Sequence, residues 1–451
     1  MKILLVNPSR CDHNGNVIKY RKAFLPPLAL AILARLTPEK HQLKVVNDIV
    51  EDIDFDISYD LVGITTMTIQ AARAYQIADR FREKGVRVII GGMHPTVMPD
   101  EVKNHSDSIA IGEAEDLWQI ILEDAENGCL KKEYKAEALP SLEKLIIPAW
   151  EKLDMSIYPK PIGRKFPQMP LFTTRGCPMG CKFCSVTRYF GKSYRFKPVG
   201  NVLEEIKRTG AEEYFFVDDN IVCKPEYSRE FFRELAAYSL RWFSQISTTI
   251  LRNPDLIELM AKAGCFSALI GIESLNKSNL SQVNKGFNQT DMYEELFARL
   301  HKAGVGAFPS IIFGFDEDTP EVMIKTLEFL KKNKIRMAYF WILTPLPGTV
   351  LFEEMRNEGR ISTTDWSIYD LSHVVFKPKH FTPRQLENDY WKLQRKFFSI
   401  PNITKRILSS LFESSTPLIN FATTAFFQTY FHQKVSLRDH PISGGIGRIS
   451  Q

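Results

Sequence analysis

Residues 177–184 read Cys177-Pro178-Met179-Gly180-Cys181-Lys182-Phe183-Cys184 and close the apolar run 169–174. Three cysteines so close together, interleaved with Pro and Gly after a strand-like run, make a compact loop that can aim three thiolates at one centre. Thiolates suit zinc and iron–sulfur clusters. A structural zinc or an ordinary four-iron cluster takes a fourth protein ligand, and the neighbouring sequence supplies neither cysteine nor histidine for it. The loop therefore predicts a 4Fe-4S cluster held by Cys177, Cys181 and Cys184, with one iron open to a small molecule.

Downstream of the loop, a strand-then-helix pattern recurs about six times. Strands are expected near 171–174, 214–217, 244–249, 267–272, 308–313 and 338–343, and helices over 202–209, 255–263, 292–303 and 320–332. Such alternation means parallel β/α units, and barrels of this type work at the carboxyl ends of their strands. Those ends carry Asp218, Asp219 and Asn220, then Arg252, then Glu273 and Ser274, then Asp316, and finally a turn over 344–349 that contains Pro347. Upstream, strands near 2–6, 44–46, 61–65, 86–90 and 108–111 alternate with helices over 28–36 and 71–84, which predicts a doubly wound parallel sheet. Ligands sit outside the carboxyl ends of such strands. Here those ends hold Thr65, Thr66 and Thr68, then Gly91, Gly92 and His94, then Gly112 and Glu113, leaving space and hydrogen bonds for a large flat ligand.

The Cys-x3-Cys-x2-Cys spacing after a strand resembles the signature of the radical S-adenosylmethionine superfamily. The strand ends of the first domain, with the Pro26-Pro27-Leu28 helix start, resemble the cobalamin-binding domain that precedes many of those enzymes. The resemblance implies an α/β chain: a flavodoxin- or Rossmann-like cobalamin-binding domain over 1–135, a connection over 136–166, a partial (β/α)6 TIM barrel over 167–375 and a helical region over 376–451. Pro148, Trp150 and Tyr158 are expected to anchor the connection. The implied cofactors are a 4Fe-4S cluster, S-adenosyl-L-methionine and cobalamin, with a reductase, flavodoxin or ferredoxin as electron donor.

Residue by residue, the resemblance puts Phe183 near the adenine, Asp218 or Asp219 at the ammonium and Arg252 at the carboxylate. Glu273 and Ser274 fall at the ribose and methionine contacts, and Pro347 on the adenine-side turn. The basic, aromatic stretch 188–197 resembles the segment that follows the cluster in cobalamin-dependent members. Asp12-His13-Asn14-Gly15 lacks the spacing of a DxHxxG motif, so cobalt ligation by His13 is not expected. His94 is a candidate contact of the corrin or its nucleotide loop, and otherwise a capping residue. The implied activity is methylation of an unactivated carbon: one S-adenosylmethionine is cleaved to a deoxyadenosyl radical, and cobalamin carries the methyl group. Cyclisation, ring contraction or carbon–carbon coupling is the alternative enzymatic reading, and a non-catalytic cluster-and-cobalamin sensor the alternative outside enzymes. No protein side chain is assigned as catalytic.

Bulk properties agree. The 451 residues, 44% hydrophobic and 25% charged, suit a globular protein of two domains with an appendage. Seven cysteines, an odd number mostly scattered singly, do not read as a disulfide framework, so a reducing cytoplasm is expected. The start MKILLVNPSR reads as a strand rather than a targeting segment, and no run reaches the roughly 18–20 apolar residues of a membrane span. The net charge of +5 is concentrated late: from Phe376 onward 11 Lys and Arg face 4 Asp and Glu, a surplus of 7 that leaves −2 for the rest. Nucleic acid is therefore not an expected partner. The aromatic and basic stretch 391–431 suits peripheral membrane contact, a lid over an apolar substrate, or plain packing. It inclines the substrate toward a lipid, terpenoid or tetrapyrrole.

Overall fold

Strands buried on both faces read as continuous apolar runs, and the first domain is built from them. In the computed structural model, which describes residues 1–161, 163–410, 417–439 and 445–449, six strands form its sheet. They are β1 (Lys2–Asn7), β2 (Gln42–Asn47), β3 (Leu61–Thr65), β4 (Arg87–Gly92), β5 (Ser108–Ile111) and β6 (Glu133–Lys135). All pair in parallel in the order β2-β1-β3-β4-β5-β6. The winding reverses at β1, which opens a crevice between β1 and β3 at their carboxyl ends. Leu4, Val6, Val62, Ile64 and Val88 pack with the helix Ala71–Glu83 on one face. Leu5, Ile89 and Ala110 pack with helices Leu28–Leu36 and Trp118–Glu126 on the other. The short β6 was not expected, because three residues with one apolar side chain, Tyr134, carry no readable period.

The connection runs back over this sheet. The Ala149 N–H donates to the Ala31 carbonyl at 2.8 Å, and Asn47 Nδ2 donates to the Tyr158 hydroxyl at 3.0 Å.

The second sheet is an open half-barrel of β7 (Met169–Leu171), β8 (Glu213–Phe216), β9 (Arg241–Ile246), β10 (Cys265–Glu273), β11 (Gly306–Phe313) and β12 (Tyr339–Ile342). These pair in parallel and in chain order. Residues such as Phe216, Trp242, Ile270 and Phe313 bury under the outer helices, so the alternate positions point into the lumen. There Phe215 stacks on Phe243 at 4.2 Å between ring centres. β9 ends at Ile246, earlier than the expected 249, because the hydroxyl-rich residues that follow bond locally. The Ser247 and Thr249 hydroxyls are hydrogen-bonded at 2.5 Å, and 248–252 turn into a 3-10 helix.

The carboxyl-terminal helices Pro383–Phe397, Ile400–Ser409 and Pro417–Ser436 lead to a strand, Gly445–Arg448, that pairs antiparallel with Tyr20–Ala23. Phe431 lies 5.5 Å from the Tyr339 ring and 5.0 Å from that of Phe398, and Gln428 Nε2 donates to the Arg336 carbonyl at 2.7 Å. The helix thus covers the amino ends of the barrel strands, which corrects the lid reading: it sits at the wrong end for a catalytic lid. Within 391–431, Trp391, Phe397, Phe398, Tyr430 and Phe431 are buried, whereas Ile400, Leu408 and Phe426 are exposed. Residues 411–416 lie outside the described residues. No helix among the described residues is long and apolar enough to cross a membrane.

A buried ionic cluster ties this end to the first domain. Arg10 donates to Asp439, Lys434 Nζ donates to Asp439 Oδ2 at 2.7 Å and the Tyr20 hydroxyl donates to it at 3.0 Å. Burial lowers the Lys434 ammonium to about 8 despite that carboxylate. Asp439→Asn removes the counter-charge of Lys434 and leaves Arg10 only Asp370 at 3.9 Å, and is expected to destabilise the fold by about 3 kcal/mol. Denaturant unfolding of the purified variant measures this.

Candidate active site

The cluster loop is held from both sides. The short strand Thr174–Arg175 pairs with Arg195–Phe196, and Gly176 then turns with φ +91, where a Cβ would strike the Ser193 carbonyl. Further on, the Lys182 N–H donates to the Val283 carbonyl at 3.0 Å, and the Lys182 carbonyl accepts from Leu351 at 3.0 Å. Cys177, Cys181 and Cys184 are half-buried free thiols. Burial raises the first two and pushes Cys184 up to about 12. A metal must therefore displace protons to bind them. Among the described residues no three His, Cys, Asp or Glu converge on a single ion. A cluster asks for something different, one thiolate on each of three irons, and three thiols on one loop are a donor set that fits it. Sequence reasoning missed Cys223, a half-buried thiol that burial and, to a lesser degree, Cys177 push upward.

The strand-end residues divide sharply. Asp218 is fully buried, and its carboxylate accepts from the Thr173 N–H at 3.0 Å, the Thr173 hydroxyl at 2.6 Å and the Thr174 hydroxyl at 2.5 Å. It supports the loop, fully buried and turned away from the cleft, which corrects its expected role. Asp219 accepts from the Gly176 N–H at 3.1 Å, faces the cleft, and is pushed up to about 7 by burial. Glu273 ends β10 at φ +58, a conformation rare for a glutamate. The Ser274 hydroxyl accepts from the Asn276 N–H at 3.0 Å and faces Asn279 Nδ2 at 3.3 Å, so it fixes a turn. Arg252 is exposed at the end of its 3-10 helix. Its expected role fails because β9 stops six residues before it.

The buried cation at this end is Lys285, which sequence reasoning missed. Its Nζ lies 2.6 Å from Glu273 Oε1 and 5.8 Å from the centre of the Phe183 ring. Burial disfavours its charge, but Glu273 and Cys181 outweigh that and raise it. Its only signal in sequence is a lysine inside an Asn-Lys-Gly turn, too common to single out. Pro347 is buried, and a Cβ on the adjoining Gly348 would stand 2.9 Å from Val97 of the first domain.

A cavity of about 260 Å³ runs from the β1–β3 crevice to the barrel mouth. Thr65, Gly91, Gly92, Gly112 and Glu113 line it, together with Arg175 and Asp219. Gly92 has φ +106, and a Cβ there would lie 2.8 and 2.9 Å from the Thr66 carbonyl oxygen and nitrogen. A floor of small residues with that close approach fits a large flat ligand such as a corrin. Thr66, Thr68 and His94 lie outside the cavity. His94 is fully buried with Nε2 3.0 Å from the Tyr75 hydroxyl and Nδ1 3.4 Å from Thr68 Oγ1, and Trp366 packs on it edge-on. These residues rivet the first domain to the segment after the barrel, which corrects their expected contact with the corrin. His13 lies exposed in a turn. Glu113 lines the cavity, but Arg175 and Arg195 match its charge, and Arg175 also pairs with Glu115 at 2.5 Å. The end of β5 is thereby clamped to the residue that leads into the cluster loop. Within 188–197, Arg195 and Lys197 are likewise engaged internally, Lys197 with Glu205 at 2.6 Å.

Comparison with known proteins matches residues 171–330 to the Radical SAM superfamily and residues 17–122 to the B12 binding domain. Over 390 residues, 84% of each chain, the protein is 36% identical to the bacteriochlorophyllide d C-12(1)-methyltransferase of Chlorobaculum tepidum. The chain belongs to the cobalamin-binding radical S-adenosylmethionine enzymes. A second relative, the bacteriochlorophyllide d C-8(2)-methyltransferase of the same organism, is 32% identical over 419 residues, 89% of this chain and 91% of that one. The radical S-adenosylmethionine methyltransferase TsrM of Kitasatospora setae, solved with cobalamin and a [4Fe-4S] cluster, shares the fold. Its TM-score is 0.66 at 15% identity, covering 97% of this chain and 99% of that one. The protein is thus a cobalamin-dependent radical S-adenosylmethionine methyltransferase, with the 4Fe-4S cluster, S-adenosylmethionine and cobalamin as its cofactors.

Proposed function

We propose that this methyltransferase acts on a tetrapyrrole, adding a methyl group to an unactivated carbon on the edge of the macrocycle. The observation that carries this reading is the identity, over most of the chain, to two enzymes named for bacteriochlorophyllide d. Cys177, Cys181 and Cys184 hold the cluster. Asp219 takes the ammonium of S-adenosylmethionine, Lys285 its carboxylate, and Glu273 the ribose, with Phe183 and Pro347 beside the adenine. Thr65, Gly91, Gly92 and Gly112 hold the cobalamin. When bound, these groups supply reductive cleavage, a carbon radical and a methyl group. The chain's own work is to orient them and keep water out. A flavodoxin or ferredoxin supplies the electron.

Lys285 acts from a buried position, where a charge–charge contact is stronger than in water. Lys285→Ala is expected to weaken S-adenosylmethionine binding by about tenfold or more, while Lys285→Arg retains most of it. Equilibrium binding to the reconstituted protein measures both, and unchanged affinity in the alanine variant removes the assignment.

The function is tested by anaerobic incubation with S-adenosylmethionine, a reductant and bacteriochlorophyllide d. The expected result is a pigment heavier by one CH2, with deoxyadenosine and S-adenosylhomocysteine formed together. Deoxyadenosine without S-adenosylhomocysteine would point to cyclisation, ring contraction or coupling. A terpenoid methylated in place of every tetrapyrrole offered would overturn the substrate class.

A further inference from the structure

A second cavity, of about 500 Å³, lies where the barrel strands begin. It shares no lining residue with the cleft. Phe243, Phe308 and Tyr339, all pointing into the lumen from β9, β11 and β12, form its roof, while Thr424 and Phe427 of the last long helix form its floor. Phe24, Phe266 and Met337 complete the apolar wall. None of these side chains is fully buried, and none is on the open surface, because each faces this half-open cavity. Above the roof the lumen is filled. Tyr339 packs on Trp341 at 5.2 Å, the Trp341 indole N–H donates to the Ser310 hydroxyl at 2.7 Å, and Ser310 faces Glu273 at 3.3 Å. A molecule in this cavity therefore does not reach the catalytic end.

The charge around it has one sign. Arg241, His301, Lys302, Lys334 and Arg336 line the cavity, and among the described residues no Asp or Glu does. Lys334 is held at φ +52, unusual for a lysine. Lys302 and Lys334 are exposed and form no ion pair among the described residues. An apolar chamber with a cationic mouth is the complement of a molecule with a hydrocarbon tail and one anionic head.

We propose that this cavity is a binding site for a single-chain anionic amphiphile. Its tail lies among Phe243, Phe266, Phe308, Met337 and Phe427, and its carboxylate or phosphate lies at Lys302 and Lys334. The inference stands independently of the tetrapyrrole reading, since it concerns the opposite end of the barrel. A free fatty acid and a single-chain lysophospholipid share this chemistry.

The test uses the full-length reconstituted protein, with cis-parinaric acid as the fluorescent probe and two competitors. These are oleate and oleyl alcohol, which has the same tail without the charge. Oleate is expected to displace the probe from one saturable site and to bind at least about tenfold tighter than the alcohol. The double variant Lys302→Glu/Lys334→Glu is expected to erase that preference. Thr424→Trp, which fills the chamber from the helix, is expected to abolish binding of both competitors. Ser267→Leu fills the same chamber from the barrel side and serves if the tryptophan variant does not fold. S-adenosylmethionine cleavage is expected to stay at the wild-type rate in every variant. Lysophosphatidylglycerol that displaces the probe at least about tenfold more tightly than oleate, with that advantage lost in the double charge variant, assigns the head to a lysophospholipid. Oleate binding as tight as or tighter than lysophosphatidylglycerol assigns it to a free fatty acid. No saturable oleate binding, or binding that the filling variant leaves unchanged, overturns the proposal.

Discussion

Cys181→Ala is expected to yield a folded protein without cluster absorbance and without S-adenosylmethionine cleavage, a loss of more than about a thousandfold. The side chain is half-buried and contributes nothing to the hydrophobic core, so circular dichroism and thermal unfolding are expected to match the wild type. Removing it leaves Cys177 and Cys184, too few ligands to hold a cubane. Cys223→Ala is the matched control. Cys223 is near enough to feel Cys177 but lies outside the loop, and its loss is expected to leave cluster and cleavage intact. Iron content, the visible spectrum and deoxyadenosine yield measure both variants. A cluster surviving in Cys181→Ala, or lost in Cys223→Ala, would show that the ligand set is different.

Gly92→Val is expected to empty the protein of cobalamin while the cluster remains. At φ +106 a side chain is strained by about 1–3 kcal/mol, and the Cβ would also strike the Thr66 backbone at 2.8 Å. That backbone directly follows Thr65, which lines the cleft beside Gly92, so relief of the clash shifts the cleft wall. Cobalamin content is expected to fall to about a tenth of the wild-type value or lower, with methylation lost and iron content unchanged. Gly112→Ala separates strain from collision, because its Cβ would meet nothing within 4 Å; it is expected to retain most of its cobalamin. Full cobalamin content in Gly92→Val would move the corrin elsewhere.

Much of the architecture could be read from the chain because its signals are local. Parallel strands covered on both faces appear as uninterrupted apolar runs, and the cluster loop is contiguous. What depended on three dimensions was harder. Asp218 and Asp219 are neighbours that point opposite ways, one into a nest of threonine donors and one into the cleft, and no sequence pattern separates them. Arg252 was misplaced because a strand end was drawn too late, past hydroxyl residues that prefer to bond one another. Lys285 reaches Glu273 through a turn with no period. His94 stands after two glycines as a ligand-contacting residue would, but its partners Tyr75 and Trp366 come from distant parts of the chain. The last long helix is apolar on most sides, so its composition could not say which end of the barrel it covers.

The pairing of Gly445–Arg448 with Tyr20–Ala23, and of Asp439 with Arg10, has a consequence in time. The two members of the ion pair are 429 residues apart, and at about 5–20 residues per second a ribosome needs on the order of half a minute or more to make the second after the first. Throughout that interval the first domain carries a guanidinium that lacks its nearest counter-ion and a strand edge that lacks its partner. The nascent protein can assemble its sheet early, but that domain is not complete until residues 439–448 have emerged. Until then the open edge of Tyr20–Ala23 is a place where another chain can pair.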